Sequence, residues 1–466
     1  MRKPHPFTKA FAVAAAGAVV LAGCSAVDDT PSTGDGNTAG DSTDEATGDS
    51  TDDSSDEAAG EIRTDVGVTD DACPEAVNPD NGCIYLGILS DLTEGPFAAL
   101  AVPIVNAQRA YWAKVNADGG IAGYDVDIDT NTRDTKYQPA EHANAYNQIS
   151  GNVLALAQSL GTVNTEAMID DMDANDIVAV PASWWSGAHF SENDRGLILE
   201  FGYSYCTESI VGLDWLTETH GKPEKIAAVG YPGDYGGDSA AGVQKWAAAN
   251  DLADDAVTVI PTGPNQVTGG QDAVVSAVAA AAPDAVVLAV GPAENAEIVG
   301  KLAAGGFTGR FLGSVPTWNP ALLQSAAAPA LTAMYNHMTF AEGWDGESAG
   351  VAAMKEALAG DSPQNAGYVA GWVMSYPMHA LLEKAAENGD LTRAGVRAAV
   401  DGLSVDFEGM SGAITYGGDG ADVAAIDMIV AEPNDSNPLG TVMVGDWFTG
   451  TTFEKVDYTA ACSASS

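Results

Sequence analysis

Short, uninterrupted apolar runs recur along this chain, each followed by a longer stretch with helical spacing. Ile84-Tyr85-Leu86-Gly87-Ile88-Leu89 is the first such run, others fall at 153–157, 177–180 and 285–290, and the beat continues through 225–229, opened by Lys225, and 256–260, which holds Thr258. Residues 125–129 alternate instead. Between them, 103–116, 140–150, 238–250 and 271–282 carry apolar residues at helical intervals. A strand that is apolar at every position must be buried on both faces, as happens in parallel sheets covered by helices on either side. The expected fold class is therefore α/β, and ligands of such sheets bind beyond the C-terminal strand ends. The roughly 385 residues from Ile84 onward exceed what one core ordinarily supports, so two lobes are expected.

The start of the chain belongs to something else. Arg2, Lys3 and Lys9 precede an apolar segment at 11–22, shorter than the roughly 20 residues that a spanning helix needs. Residues 1–23 read as a secretory signal peptide. Its ending, Leu21-Ala22-Gly23-Cys24, resembles a lipobox, which implies cleavage before Cys24 and lipid on its sulfur. The mature protein is then expected on the extracytoplasmic face of a bacterial cell membrane, anchored through Cys24. From 25 to 71 the chain has fifteen acidic residues and one basic residue, Arg63. With almost nothing to bury, this span reads as a disordered acidic tether.

The formal charge of the whole chain is −46, which opposes binding to nucleic acid. Four cysteines remain after Cys24, an even number that suits an oxidising compartment. Cys73 and Cys83 flank Pro74, Asn78, Pro79 and Gly82, a turn-rich loop that favours their pairing. Cys206 and Cys462 would then pair by elimination. Neither Cys-x-x-Cys nor a histidine cluster is present to suggest zinc, and no metal or cofactor is expected. His142 and His189 read as surface or loop positions.

Asn116-Ala117-Asp118-Gly119-Gly120-Ile121-Ala122-Gly123, between a helix and a strand, resembles a signature of ABC-transporter substrate-binding proteins of the branched-chain amino-acid (Leu/Ile/Val-binding) type. Gly87-Ile88-Leu89, Gly95-Pro96-Phe97-Ala98-Ala99-Leu100, Asp234-Tyr235-Gly236 and Gly291-Pro292-Ala293-Glu294 follow that family's order, with Glu94 as a local departure. The resemblance implies a two-lobe, type I periplasmic-binding-protein fold that closes on a small ligand, with three hinge crossings near 200–205, 330–340 and 403–407. Within a binding region of 72–466, lobe 1 would hold about 84–203 plus 336–403, and lobe 2 about 204–335 plus 404–462. The implied function is capture of an amino acid, branched-chain or otherwise apolar or aromatic, for an ABC permease and its ATPase. The alternative is a ligand-sensing surface receptor of the same fold for an amide, urea or aromatic acid.

The candidate ligand residues come from segments bordering the expected cleft. Gly161 permits a close turn before Thr162 and Asn164, whose segment the resemblance assigns to a ligand carboxylate. The next strand ends at Ser183-Trp184-Trp185. Neighbours on an extended segment point opposite ways, so one Trp should face the cleft and the other pack inside. Glu294 corresponds to an acid that pairs with the ligand ammonium in amino-acid-binding members. Phe97, Tyr205, Tyr235 and Trp318 are further candidates. An enzyme is not expected. Gly346-Glu347-Ser348-Ala349-Gly350 has the letters of a hydrolase nucleophile elbow, but no apolar strand leads directly into it. The one later histidine, His379, falls in a helical stretch; Ser348 reads better as the opening of a helix. No phosphate-binding loop is present.

Overall fold

The structure, a computed structural model, describes residues 62–360, 363, 365–418 and 427–463. By compactness the chain divides into Met1–Ala58 and Ala59–Ser466. The signal segment, Cys24 and the tether as far as residue 61 lie outside the described residues.

The first sheet is built around β1 (Gly82–Ser90), which pairs in parallel with β2 (Tyr124–Asp134) and β3 (Ala155–Leu160); β4 (Ala179–Ala182) joins β3, also in parallel. Ile84, Leu86, Ile88 and Leu89 are all buried, so both faces of β1 are covered. The second sheet runs in the order 441–448, 428–433, 335–339, 310–313, 285–289, 226–230, 257–261. Strands β5 (Ile226–Gly230), β6 (Val257–Pro261), β7 (Ala285–Ala289), β8 (Arg310–Gly313) and β9 (Tyr335–Thr339) are parallel. Strands β10 (Met428–Pro433) and β11 (Thr441–Phe448) close one edge antiparallel.

Helices α1 (Ala98–Ala117), α2 (Pro139–Ile149) and the short α3 (Thr162–Glu166) belong to the first lobe. Helices α4 (Tyr205–His220), α5 (Asp234–Ala249), α6 (Asp272–Ala281) and α7 (Pro292–Ala304) belong to the second. The chain then returns, laying α8 (Ala349–Ala357) and α9 (Ala366–Glu387) against α1 before crossing again to β10. Strand β9 stays in the second sheet through Thr339, within the span 330–340 expected for the second crossing.

Helix α1 starts before the proline expected to open it. Pro103 lies inside the helix and cannot donate to the carbonyl four residues back. That carbonyl, of Ala99, instead accepts from Asn365 Nδ2 at 2.7 Å, and Asn365 is the N-cap of α9. The two helices then touch along their backbones. A Cβ on Gly367 would come within 2.4 Å of the Leu100 carbonyl oxygen, and one on Gly371 within 2.2 Å of that of Ile104.

Composition misjudged the end of the tether. Arg63–Thr64 pairs in parallel with Asp390–Leu391, and Val68–Thr69 pairs antiparallel with Cys83 and Ile84. Backbone pairing to strands already in place orders these residues despite their poor apolar content. Both disulfides are present, Cys73–Cys83 and Cys206–Cys462. Ser348 accepts from the Val351 N–H as the N-cap of α8, a helix-opening role.

Candidate functional site

The strand ends of both lobes meet around an apolar cavity of about 50 Å³. Asp91, at the end of β1, arranges one wall. Its buried carboxylate accepts from the N–H groups of Gly95 and Phe97, both at 2.9 Å, and this folds the turn that leads into α1. Burial raises the Asp91 carboxyl above the ordinary value, and those two donors offset part of the rise. The turn delivers Phe97 to the cavity.

Phe97 belongs to an aromatic cluster drawn from both lobes. Its ring centroid lies 4.8 Å from Tyr137 of the first lobe, and 6.1 and 6.4 Å from Tyr231 and Tyr235 of the second. Tyr235 lies 4.6 Å from Tyr205 at the head of α4, which in turn lies 6.0 Å from Trp184. The Tyr235 hydroxyl is held by Ser314 Oγ at 2.6 Å. On the first lobe, Thr162 Oγ1 donates to Ser183 Oγ at 3.0 Å, which places a hydroxyl pair on the cavity wall. Gly161 precedes it at φ +98°, a conformation that favours glycine.

Six of the ten candidate ligand residues therefore line one cavity: Phe97, Thr162, Ser183, Trp184, Tyr205 and Tyr235. The other four do not. Asn164 turns inward and donates to the Leu160 carbonyl at 3.1 Å. Of the tryptophan pair, Trp184 faces the cavity, with its N–H on the Phe201 carbonyl at 2.6 Å. Trp185 points to the opposite side and donates to Ser463. Trp318 is wholly buried behind the site, stacked against Tyr335 and His337 and bonded to the Leu439 carbonyl. Val315 and Pro316 reach the cavity in its place, because the chain coils into a short 3-10 turn after β8.

Glu294 is the largest revision. It sits in the first turn of α7 and is 1% exposed, but it does not line the cavity. One carboxylate oxygen accepts from the Tyr231 hydroxyl at 2.9 Å and the other from the Asn265 N–H at 2.7 Å. Its role in this geometry is to tie two loops of the second lobe together. Sequence reasoning missed Tyr137, which occupies a left-handed turn at φ +56°, and Tyr231, which follows β5. It also missed Leu100, Ala101 and Ile104 on α1 and Ala366 and Ala370 on α9. The apolar face of α1 was legible, but its partner lies more than 260 residues away in sequence.

Buried acids cluster at the first crossing. Glu200 accepts from His189 Nε2 at 3.0 Å, and both side chains are 2% exposed, so His189 is no surface residue. His142 is also buried, against Ser159. Burial pushes Glu200 up to about 7, against the pull of the His189 bond. Asp194, bonded to the Gly196 and Ile198 N–H groups, is pushed up to about 6 by the same cause. Asp238, on α5 of the second lobe, accepts from Ser186 N–H and Oγ on the first lobe. It also accepts from the Cys206 N–H and from Ser463 Oγ. The C-terminal segment, fastened by the Cys206–Cys462 disulfide, thus closes over the point where the lobes join.

A family model described as periplasmic binding protein matches residues 84–437. No curated protein sequence matches the chain. Among solved structures, a fatty acid ABC transporter substrate-binding protein from Thermomonospora curvata aligns with a TM-score of 0.72 at 24% identity, covering 85% of this chain and 97% of that one. An ABC-transporter substrate-binding protein from Aeropyrum pernix gives 0.69 at 18% identity, with 81% and 99% covered. A branched chain amino acid ABC transporter protein from Thermus thermophilus, with bound valine, gives 0.66 at 18% identity and the same coverage. At these identities the likeness is one of fold. Among the described residues no helix is long and apolar enough to cross a membrane.

Proposed function

The chain belongs to the periplasmic binding protein family, whose members are extracytoplasmic and bind solutes rather than transform them, and from that premise we propose that it captures a small, mainly apolar solute for an ABC importer. The observation that carries the ligand assignment is the cavity wall. Aromatic and aliphatic side chains from both lobes form it, together with the Thr162–Ser183 hydroxyl pair, and no charged side chain lines it among the described residues. Apolar walls with a few placed polar groups are the ordinary make-up of a small-molecule site. Closure brings Phe97 of one lobe within ring contact of Tyr231 and Tyr235 of the other. A solute held between them favours the closed form in proportion to its extra affinity for it. A permease and its ATPase are the partners of this proposal, and a lipid on Cys24 is its membrane anchor.

An apolar amino acid, as first expected, fits the walls but lacks the carboxylate partner that Glu294 was to provide. A thermal-shift screen of the purified protein against apolar amino acids, amides, aromatic acids and aliphatic acids tests the assignment. Ligand at 100 times its Kd adds about 2.7 kcal/mol of stability. A panel in which only strongly hydrophilic solutes such as urea stabilise the protein would overturn it.

A further inference from the structure

The cavity is not symmetrical between the lobes. On the first-lobe side it extends between the opening turns of α1 and α9, where Leu100 and Ile104 stand one turn apart and face Ala366 and Ala370, also one turn apart. Immediately beside this slot the helix backbones meet at Gly367 and Gly371, where no side chain could be placed without collision. The slot is therefore closed along one side by backbone, and its remaining width is set by the small residues Ala101, Ala366 and Ala370. The two hydroxyls of Thr162 and Ser183 line the same cavity.

We infer that this site takes an uncharged amphiphile, a primary amide or alcohol whose hydrocarbon body enters the α1–α9 slot and whose polar end meets Thr162 and Ser183. The inference rests on the cleft being the ligand site, as proposed above. Its physical basis is the charge inventory. Among the described residues no lysine, arginine, aspartate or glutamate lines the cavity. A buried ammonium or carboxylate would thus find no oppositely charged side chain on the wall to offset its desolvation. The two acids nearest the walls do not change this. Glu294 is engaged by Tyr231 and Asn265. Glu208 holds the Val315 N–H from behind the wall, and burial raises its carboxyl well above the ordinary range. Two hydroxyls can both donate and accept, which suits a neutral amide or alcohol group. The formal charge of −46 adds a field that disfavours anions.

The test is a matched series on one skeleton: leucine, 4-methylpentanoate, 4-methylpentanamide and 4-methylpentan-1-ol, measured by calorimetry on the purified protein. The neutral members should bind at least about tenfold more tightly than the zwitterion and the anion, the minimum expected when a charge is buried unpaired. Equal or tighter binding of leucine or the carboxylate overturns the inference while leaving capture of an apolar solute intact. Binding of none of the four, with a hydrophilic solute bound instead, overturns both. The slot is tested separately with Ala370→Leu, which should weaken 4-methylpentanamide about tenfold or more by filling the space. Ala370→Gly should retain that affinity, so a loss in both variants would remove the slot from the account.

Discussion

Glu200 offers the sharpest test of the hinge electrostatics, through the substitution Glu200→Gln. The residue lies on the first crossing between the lobes. One carboxylate oxygen is bonded to His189 and the other has no hydrogen-bond partner among the described residues. Burial lifts the carboxyl from 4.5 to about 7, while the His189 bond and charge pull it down and the charges of Asp238 and Asp194 push it further up. An acid whose folded value exceeds its unfolded value makes the folded state bind more protons across that interval. Stability is then full below about pH 4.5 and falls as pH rises through 7. At about 1.4 kcal/mol per unit, the interval corresponds to a loss of roughly 3 kcal/mol. Glutamine keeps the size and one acceptor but cannot ionise. Urea unfolding followed by tryptophan fluorescence, at steps from about pH 4.5 to pH 8, should show the variant gaining on the wild-type protein by roughly 3 kcal/mol. Titrating groups remote from Glu200 are common to both proteins and cancel in the difference, which leaves Glu200 and the neighbours coupled to it, His189, Asp194 and Asp238. A flat difference would refute the burial argument. A difference of opposite slope would show that an ionised Glu200 paired with a protonated His189 stabilises the fold.

The other predictions concern the same junction and the two disulfides. Asp238→Ala leaves the buried Ser186 and Cys206 N–H groups without acceptors, at about 1–3 kcal/mol each. Because the Ser186 bonds join opposite lobes, ligand affinity should fall together with stability in the same variant; unchanged affinity would mean that Asp238 does not hold the closed form. The disulfides span 256 and 10 residues, so chain entropy assigns them on the order of 5 and 3 kcal/mol. Paired Cys→Ser replacements should rank accordingly in urea midpoint, and a larger loss at Cys73–Cys83 would count against the entropic account.

Much of the architecture was legible because it depends on short-range pattern. Continuous apolar runs gave β1 and the strands β3 to β5 and β7 within a few residues, since a strand buried on both faces can hardly be written otherwise. The start of α1 was less accessible. Pro103 is tolerated inside the helix only because Asn365 takes the carbonyl it leaves free, 266 residues away. Likewise, nothing near Arg63 or Val68 announces that Asp390 and Ile84 lie alongside to pair with them.

The site divides along the same line, and Trp184 and Glu294 show why. Alternation along an extended segment required the two tryptophans to point apart, which they do. Which of them faces the cavity depends on Phe201, Tyr205 and Phe340 packing around Trp184, and on Ser463 beside Trp185. For Glu294, the Gly-Pro-Ala-Glu motif located the loop correctly but could not say whether its carboxylate was available. Tyr231 and Asn265, from two other loops, each supply a hydrogen to one of its oxygens, and the side chain is not on the cavity wall. A motif specifies where a side chain starts, whereas a binding role requires that its polar atoms still need a partner once the fold has formed. In this cleft the carboxylate expected to greet an ammonium already has its partners, and the wall that remains carries hydroxyls, rings and hydrocarbon. That difference turns the expected ligand from a charged amino acid toward an uncharged amphiphile.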